Sequence, residues 1–445
     1  MSEAQPSGSQ GAARRCDRLV RELQAEHRVP AITAAVARAD RPLWAAAVGE
    51  ASPGQPVTAD TVFRIGSITK TFTAVLVMQL RDEGLLDLDD PLSAHLDVPA
   101  HGELTIRRLL THRSGLQREP YGDVWDTLQT PDTEGIVADL AHTERVLAPE
   151  RRWHYSNLAY ALLGAAVGQL THGTWAEVLH DRLLRPLGLD RTSLEAVAPA
   201  ATGYLVEAYS DVAHPEVPVD SAGTSPAGQL WSTAGDLARW AMFLAAPDPQ
   251  ILAATTLDEM CQLTTVVDND DWQVGWGLGL MLVPRGDRIT HVGHDGAMPG
   301  FLAGAYTRRS DKIAAVALGS SGTASAICGL PHTLIEVSLA ADPFDVTPWR
   351  PGGPPPEHLG SVLGVWWTEG MEFVFSWHDG HLEARSRQAP KDKPPAIFAV
   401  ESDDVLRVVS GREAGERLRL TRDGAGTVVG MHWATYRCSR TQETF

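Results

Sequence analysis

The strongest constraint on what this chain can fold into is one stretch, Asp342–Glu357, reading DPFDVTPWRPGGPPPE, with six prolines in sixteen residues. Each proline lacks a backbone N–H and fixes φ, so neither a helix nor a central strand can cross the segment. The chain must fold as two bodies joined by a stiff linker. Residues 358–445 read as strands. Glu372–Trp377 alternates, with Phe373, Phe375 and Trp377 on one face, and Asp379-Gly380 is a hairpin turn into Leu382–Arg385. Arg417–Thr421 and Thr427–Trp433 flank a second turn over Arg422–Gly426. A small antiparallel, barrel-like β-domain is expected there.

Ahead of the linker, residues 15–341 mix two periodicities, which suits an α+β domain. Residues 1–14 are rich in Ser, Gly and Gln, and read as a disordered tail with no apolar leader. A helix is expected from Cys16 to about Glu26. Ala31–Ala37 and Leu43–Val48 form a strand pair around the turn Ala39–Pro42. Phe72, Val75, Leu76, Gln79 and Leu80 continue a helix from Ser67 that Gly84 can close. Further helices are expected over Leu158–Leu170, Trp175–Leu184, Asp236–Leu244 (capped from Ser232-Thr233) and Leu330–Leu339. Phe301–Tyr306 and Ile313–Leu318 read as a hairpin.

The net charge of −18, with no basic block, disfavours nucleic acid as a partner. No apolar run approaches the roughly 18 residues of a membrane span, so a cytoplasmic location is expected. The four cysteines, Cys16, Cys261, Cys328 and Cys438, are far apart and form no C-x-x-C pair, which favours free thiols over a metal site or a disulfide framework. No cofactor is called for.

Of 38 basic residues only four are lysine, and one of them stands in Gly66-Ser67-Ile68-Thr69-Lys70. Arginine cannot give up its proton at working pH, whereas a lysine amine can if its surroundings lower its pKa. A helical rise sets residue i+3 beside residue i, so Ser67 and Lys70 form the pair in which an amine activates a serine nucleophile. No other Ser-x-x-Lys occurs in the chain. Tyr155-Ser156-Asn157 is the second element. A tyrosine near an ammonium ionises more easily than a free phenol and can serve as base and then acid. Asn157 can orient the substrate or Lys70, and Ser156 or Asn157 can cap the helix that follows. The third element is His291–Gly300, a glycine-rich run holding His294, Asp295, Gly296 and Ala297. A metal site through His291 and His294 is disfavoured, since no nearby Cys or carboxylate completes a ligand set.

These three elements, in this order and spacing, resemble the serine β-lactamase and penicillin-binding-protein superfamily. The likeness is to its class C-like branch of class C β-lactamases, D-aminopeptidases, family VIII esterases and penicillin-binding-protein-type thioesterases. Phe63–Ser67, Leu109–Leu116 and Ala227–Thr233 resemble the same branch. The resemblance implies an antiparallel sheet flanked by helices plus a helical region. It implies that Ser67 forms an acyl-enzyme, Lys70 and Tyr155 handle the proton, Asn157 orients, and His294 replaces the lysine of K-T-G. Backbone N–H groups of Ser67 and Ala297 would hold the oxyanion, and Asp295 and Gly296 would meet substrate. Asp295 at the threonine position is expected to repel a substrate carboxylate. The C-terminal part resembles the lipocalin-like β-domain appended to some members. The expected function is hydrolysis of small esters, amides or D-residue peptides. A thioesterase or cyclase acting on carrier-protein-bound nonribosomal peptides is the alternative, and a non-catalytic binding or sensor protein is the rival from another class.

Overall fold

The computed structural model describes residues 7–39, 41–268, 270–286, 288–343, 348–390 and 393–442. The chain divides into two compact units, residues 1–344 and 345–445. The first is built on a nine-stranded antiparallel sheet. Its strands are β1 (Ala31–Arg38), β2 (Arg41–Ser52), β3 (Gln55–Pro56), β4 (Thr265–Val266), β5 (Gly275–Trp276), β6 (Met281–Pro284), β7 (Thr290–Met298), β8 (Phe301–Arg308) and β9 (Ile313–Gly319), in the order β3-β2-β1-β9-β8-β7-β6-β5-β4. Adjacent β1 and β9, AITAAVAR and IAAVALG, are almost wholly buried. Apolar residues without alternation mark a strand covered on both faces, and here each face has its own core.

On one face, helices α1 (Ser7–Glu26) and α5 (Ala326–Ala341) bury Val20, Ile32, Tyr306, Ile327 and Leu334. On the other, α2 (Thr69–Asp82), α3 (Asn157–Thr171) and α4 (Ala234–Phe243) enclose the larger core, which includes Phe72, Leu162, Trp240 and Val316. Phe72 stacks on Trp240 at 3.7 Å between ring centroids. Helix α4 starts where expected, with the Thr233 side chain accepting the Asp236 N–H. The next expected helix after α3, Trp175–Leu184, keeps α-helical pairing only over Trp175–Leu179 and continues to Leu184 as a π-turn.

Two readings need correction. Residues 7–13, assigned to a disordered tail, form the first turns of α1. Ala12, Ala13 and the following arginines favour helix, and Cys16 and Val20 are buried beneath it. Residues 1–6 of the expected tail fall outside the described residues, as do Asp40 of the first turn and residues 344–347 of the linker. Helix α5 begins at Ala326, four residues earlier than Leu330, and carries Pro331 inside it. Burial of Ile327 against the sheet core outweighs the lost N–H.

The second unit is an eight-stranded meander: β10 (Gly364–Thr368), β11 (Met371–His378), β12 (His381–Ser386), β13 (Ala396–Ser402), β14 (Val405–Ser410), β15 (Arg417–Arg422), β16 (Val428–Trp433) and β17 (Tyr436–Cys438). Trp367 exchanges backbone hydrogen bonds with Ser439, just past β17, at 2.7 and 3.0 Å. The barrel is nearly closed, and closure removes the exposed edges of an open sheet. Trp366, Phe375, Phe398 and Trp433 fill it, with Phe373 and Trp377 packed alongside.

Candidate active site

Ser67 sits in a tight 3-10 turn, Gly66–Ile68, that feeds directly into α2. Gly66 has φ +48°, and a Cβ there would stand 2.6 Å from the Ala297 nitrogen. Gly296 approaches from the other side, where a Cβ would meet the Ile65 carbonyl oxygen at 1.9 Å. Two glycines therefore let the Ser67 turn and strand β7 lie backbone to backbone. Gly296, expected to meet substrate, is buried in that contact instead. Ser67 and Ala297 line one cleft of about 300 Å³ with Arg118, Glu119, Asn157 and Ala227. Two backbones so close are what a paired N–H oxyanion site requires.

One turn into α2, Lys70 is completely buried. Its Nζ lies 3.0 Å from Ser67 Oγ, 2.7 Å from Asn157 Oδ1 and 2.7 Å from the Ala227 carbonyl oxygen. Burial pushes its pKa well below the usual lysine value, with Glu119 opposing the shift. The amide and carbonyl oxygens each accept one N–H. The remaining position faces Oγ, where a neutral amine can take the serine proton and an ammonium can return it.

Asn157 opens α3, and the Ser156 side chain caps that helix by accepting the Ala159 N–H at 3.1 Å. Capping by Ser156 leaves the Asn157 amide free to hold Lys70, while its Nδ2 donates to Glu119 Oε1 at 2.7 Å. Tyr155 stands beside Ser67, whose hydroxyl favours the ionised phenol. Lys70 Nζ and Arg118 Cζ stand 4.8 and 4.9 Å from its ring centroid. The expectation of an easily ionised phenol is reversed. Desolvation dominates and raises the Tyr155 pKa above the ordinary tyrosine value, against the Ser67 hydroxyl and the Arg118 charge. Burial thus favours the neutral phenol of Tyr155 and, at Lys70, the free amine.

Strand β7 alternates, so neighbouring residues point to opposite faces. His294 lies on the Tyr155 side, buried and not among the residues lining the cleft, with its ring centroid 6.4 Å from that of Tyr155. Its Nδ1 is bonded to the Asp295 carbonyl oxygen. Burial, aided by Lys70, lowers its pKa to about 3. This imidazole is neutral and does not supply the positive charge of a K-T-G lysine. Asp295 is on the other face, where Tyr306 Oη donates to its Oδ1 at 2.9 Å, and burial raises its pKa to about 6. The reading of Asp295 as a substrate-repelling group is therefore corrected: its carboxylate faces the α5 side, not the cleft. By the same parity His291 and His294 are on opposite faces. Among the described residues, no group of three or more His, Cys, Asp or Glu is arranged to hold a metal ion. No helix among them is long and apolar enough to cross a membrane.

Sequence reasoning missed Arg118, Glu119 and the Ala227 carbonyl. Arg118 and Glu119 stand in a loop without periodicity, where charged side chains read as solvated. Ala227 acts through its backbone, which no side-chain pattern reveals.

Comparison with known proteins agrees with this geometry. The Beta-lactamase family model matches residues 16–326, and a domain of unknown function (DUF7586) matches residues 355–440. Penicillin-binding protein 4 of Amycolatopsis lactamdurans is 34% identical over 330 residues, 68% of this chain and 84% of that protein. Beta-lactamase-like protein 2 of Dictyostelium discoideum is 29% identical over 287 residues, 60% of this chain, and only 52% of its own length is spanned. The crystal structure of SurE with D-Leu is 26% identical, with TM-score 0.61, over 98% of this chain and 100% of that one. A Ser-Lys pair at the start of a helix, a Tyr-x-Asn at the start of another, and a matching family model over most of the chain lead to one assignment: this protein belongs to the beta-lactamase family of serine hydrolases.

Proposed function

We propose that the protein cleaves small esters, or amides and peptides with a D residue, through an acyl-enzyme on Ser67. The observation that supports this most is the meeting of Ser67 Oγ, Lys70 Nζ and Asn157 Oδ1 within hydrogen-bond distance, with the Tyr155 side chain beside Ser67. Lys70, as a free amine, takes the Ser67 proton as Oγ attacks the carbonyl carbon. Backbone N–H groups of Ser67 and Ala297 hold the oxyanion. The phenol of Tyr155 gives its proton to the leaving group and is replenished from the Lys70 ammonium, so the proton count closes. A water then releases the acyl group by the same steps in reverse. Asn157 keeps the amine aimed at Oγ.

The cleft also bears on substrate choice. Glu119 and Arg118 both line it and stand 3.5 Å apart, so the cleft offers a carboxylate to a substrate amine and a guanidinium to a substrate carboxylate. Neutral His294 adds no further cation. The relative crystallised with D-Leu supports a D-configured residue in the substrate. A carrier-bound peptidyl thioester would use the same acyl-enzyme and differs only in its leaving group. A non-catalytic protein would have no use for a lowered lysine pKa beside a serine.

The test is a panel of a p-nitrophenyl ester, a D-amino acid amide and a peptidyl thioester, each with wild type and Ser67→Ala. Turnover of the ester or amide should fall at least ~1000-fold in the variant. Activity unchanged in Ser67→Ala would overturn the mechanism, and turnover confined to the thioester would replace the substrate class.

A further inference from the structure

We propose that His112 is a positioning residue: a neutral imidazole that clamps Tyr155-Ser156-Asn157 against the nucleophile. The inference rests on the reading that Tyr155 and Asn157 serve Ser67 and Lys70.

His112 follows the short helix Ile106–Leu110 and has φ +55°, a left-handed backbone that costs a non-glycine residue roughly 1 kcal/mol. It is completely buried. Its carbonyl oxygen accepts the His154 N–H at 2.8 Å, and its Nδ1 accepts the Ser156 N–H at 3.1 Å. One residue thus grips the backbone on both sides of Tyr155. Its ring lies 4.4 Å from the Tyr155 ring, tilted by 32°. Trp276 and Tyr160 approach the same imidazole at 4.8 and 5.2 Å. Strained backbone held by its surroundings collects at functional sites.

Acceptance at Nδ1 fixes the tautomer: a neutral ring must carry its proton on Nε2. A protonated ring would lose the Ser156 bond. Desolvation is the main cause holding the His112 pKa well below the usual value, and Arg118, or Lys70, His294 and His154 whenever protonated, adds to it. Tyr155 and Tyr160 beside it stay neutral, because burial raises both phenols. The consequence lies one bond further on. Ser156 caps α3 and Asn157 begins it, so a shift at Ser156 N moves the phenol beside Ser67 and the amide on Lys70 together. A displacement near 1 Å can cost about 100-fold in rate.

The test uses three variants. In His112→Asn the amide oxygen falls near the place of Nδ1, and asparagine tolerates positive φ. His112→Phe keeps a ring without an acceptor, and His112→Ala keeps neither. With a p-nitrophenyl ester, kcat should fall about 30- to 100-fold in Phe and Ala variants with KM within about threefold, and Asn should restore kcat to within about fivefold of wild type. All three within threefold of wild type, or Asn as slow as Ala at equal thermal stability, overturns the proposal. Should the Ala or Phe variant fail to fold, histidine 15N–13C NMR on the wild-type protein decides. The His112 ring should remain an Nε2–H tautomer from pH 5 to 9, and an Nδ1–H tautomer or titration inside that range overturns it. Ser67→Ala run alongside separates the two claims, because its activity tests the acyl-enzyme and the His112 variants test only the clamp.

Discussion

Replacing Asn157 by aspartate would put a negative charge on the atom that now holds the active amine. Asn157 Oδ1 is 2.7 Å from Lys70 Nζ, and the exchange is nearly isosteric. At that distance a unit charge favours the ammonium by about 3 to 6 kcal/mol for an effective dielectric between 40 and 20, equivalent to about 2 to 4 pKa units. The amine that should accept the Ser67 proton would stay protonated at neutral pH. Glu119 complicates the change, since its carboxylate meets Asn157 Nδ2 at 2.7 Å and the two acids would share a proton. Asn157→Asp is therefore paired with Glu119→Gln, which removes the competitor. The assay is kcat/KM for a p-nitrophenyl ester from pH 5 to 9.5, corrected for background hydrolysis, in wild type, Glu119→Gln and the double variant. The acid limb of the double variant should move up by at least two pH units relative to Glu119→Gln, with activity at pH 7 down roughly 100-fold and recovering at high pH. Superimposable acid limbs in active, folded proteins would refute the claim that a free Lys70 amine is the base.

Other consequences follow from single contacts. In Gly66→Ala, both the positive φ and the 2.6 Å approach to Ala297 N are violated, so kcat/KM should fall ~100-fold with a lowered Tm; an unchanged rate would separate the Ser67 turn from the oxyanion site. Asp295 has a native pKa of about 6 against a reference of 3.8, so its stabilising protonated form is lost as pH rises from about 4 through 6. Asp295→Asn should match wild type in denaturant unfolding near pH 4 and exceed it by up to about 3 kcal/mol at pH 8; a variant less stable at pH 8 than at pH 4, relative to wild type, would contradict this. Glu119→Gln should raise KM for a D-amino acid amide about tenfold more than for an ester lacking an amine; equal effects would remove Glu119 from substrate recognition.

What the sequence disclosed about this site was spacing. Ser67 and Lys70 are three residues apart on a helical path, and Tyr155 and Asn157 bracket the cap of α3, so residue types and intervals alone located them. Environment was not legible. The phenol of Tyr155 was expected to ionise easily because a lysine was near, but burial has the larger effect. The error at Asp295 concerns strand geometry, since adjacent residues of β7 cannot both face the cleft. Glu119 and the Ala227 carbonyl carried no signal, the first lacking periodicity and the second lacking a side chain. In the fold, β1, β9 and four barrel strands, β11, β12, β15 and β16, followed from apolar runs and alternation, whereas β10, β13, β14 and β17 were not read. The early start of α5 did not, because a proline inside a helix is tolerated only when tertiary burial outweighs it.

The most direct measurement is the mass of the protein after brief mixing with a slowly turned-over acyl donor, followed by peptide mapping. A single adduct equal to the acyl group, on the peptide holding Ser67 and absent from Ser67→Ala, is the expected result. Turnover with no covalent adduct at any time point, or an adduct on another residue, would contradict the account.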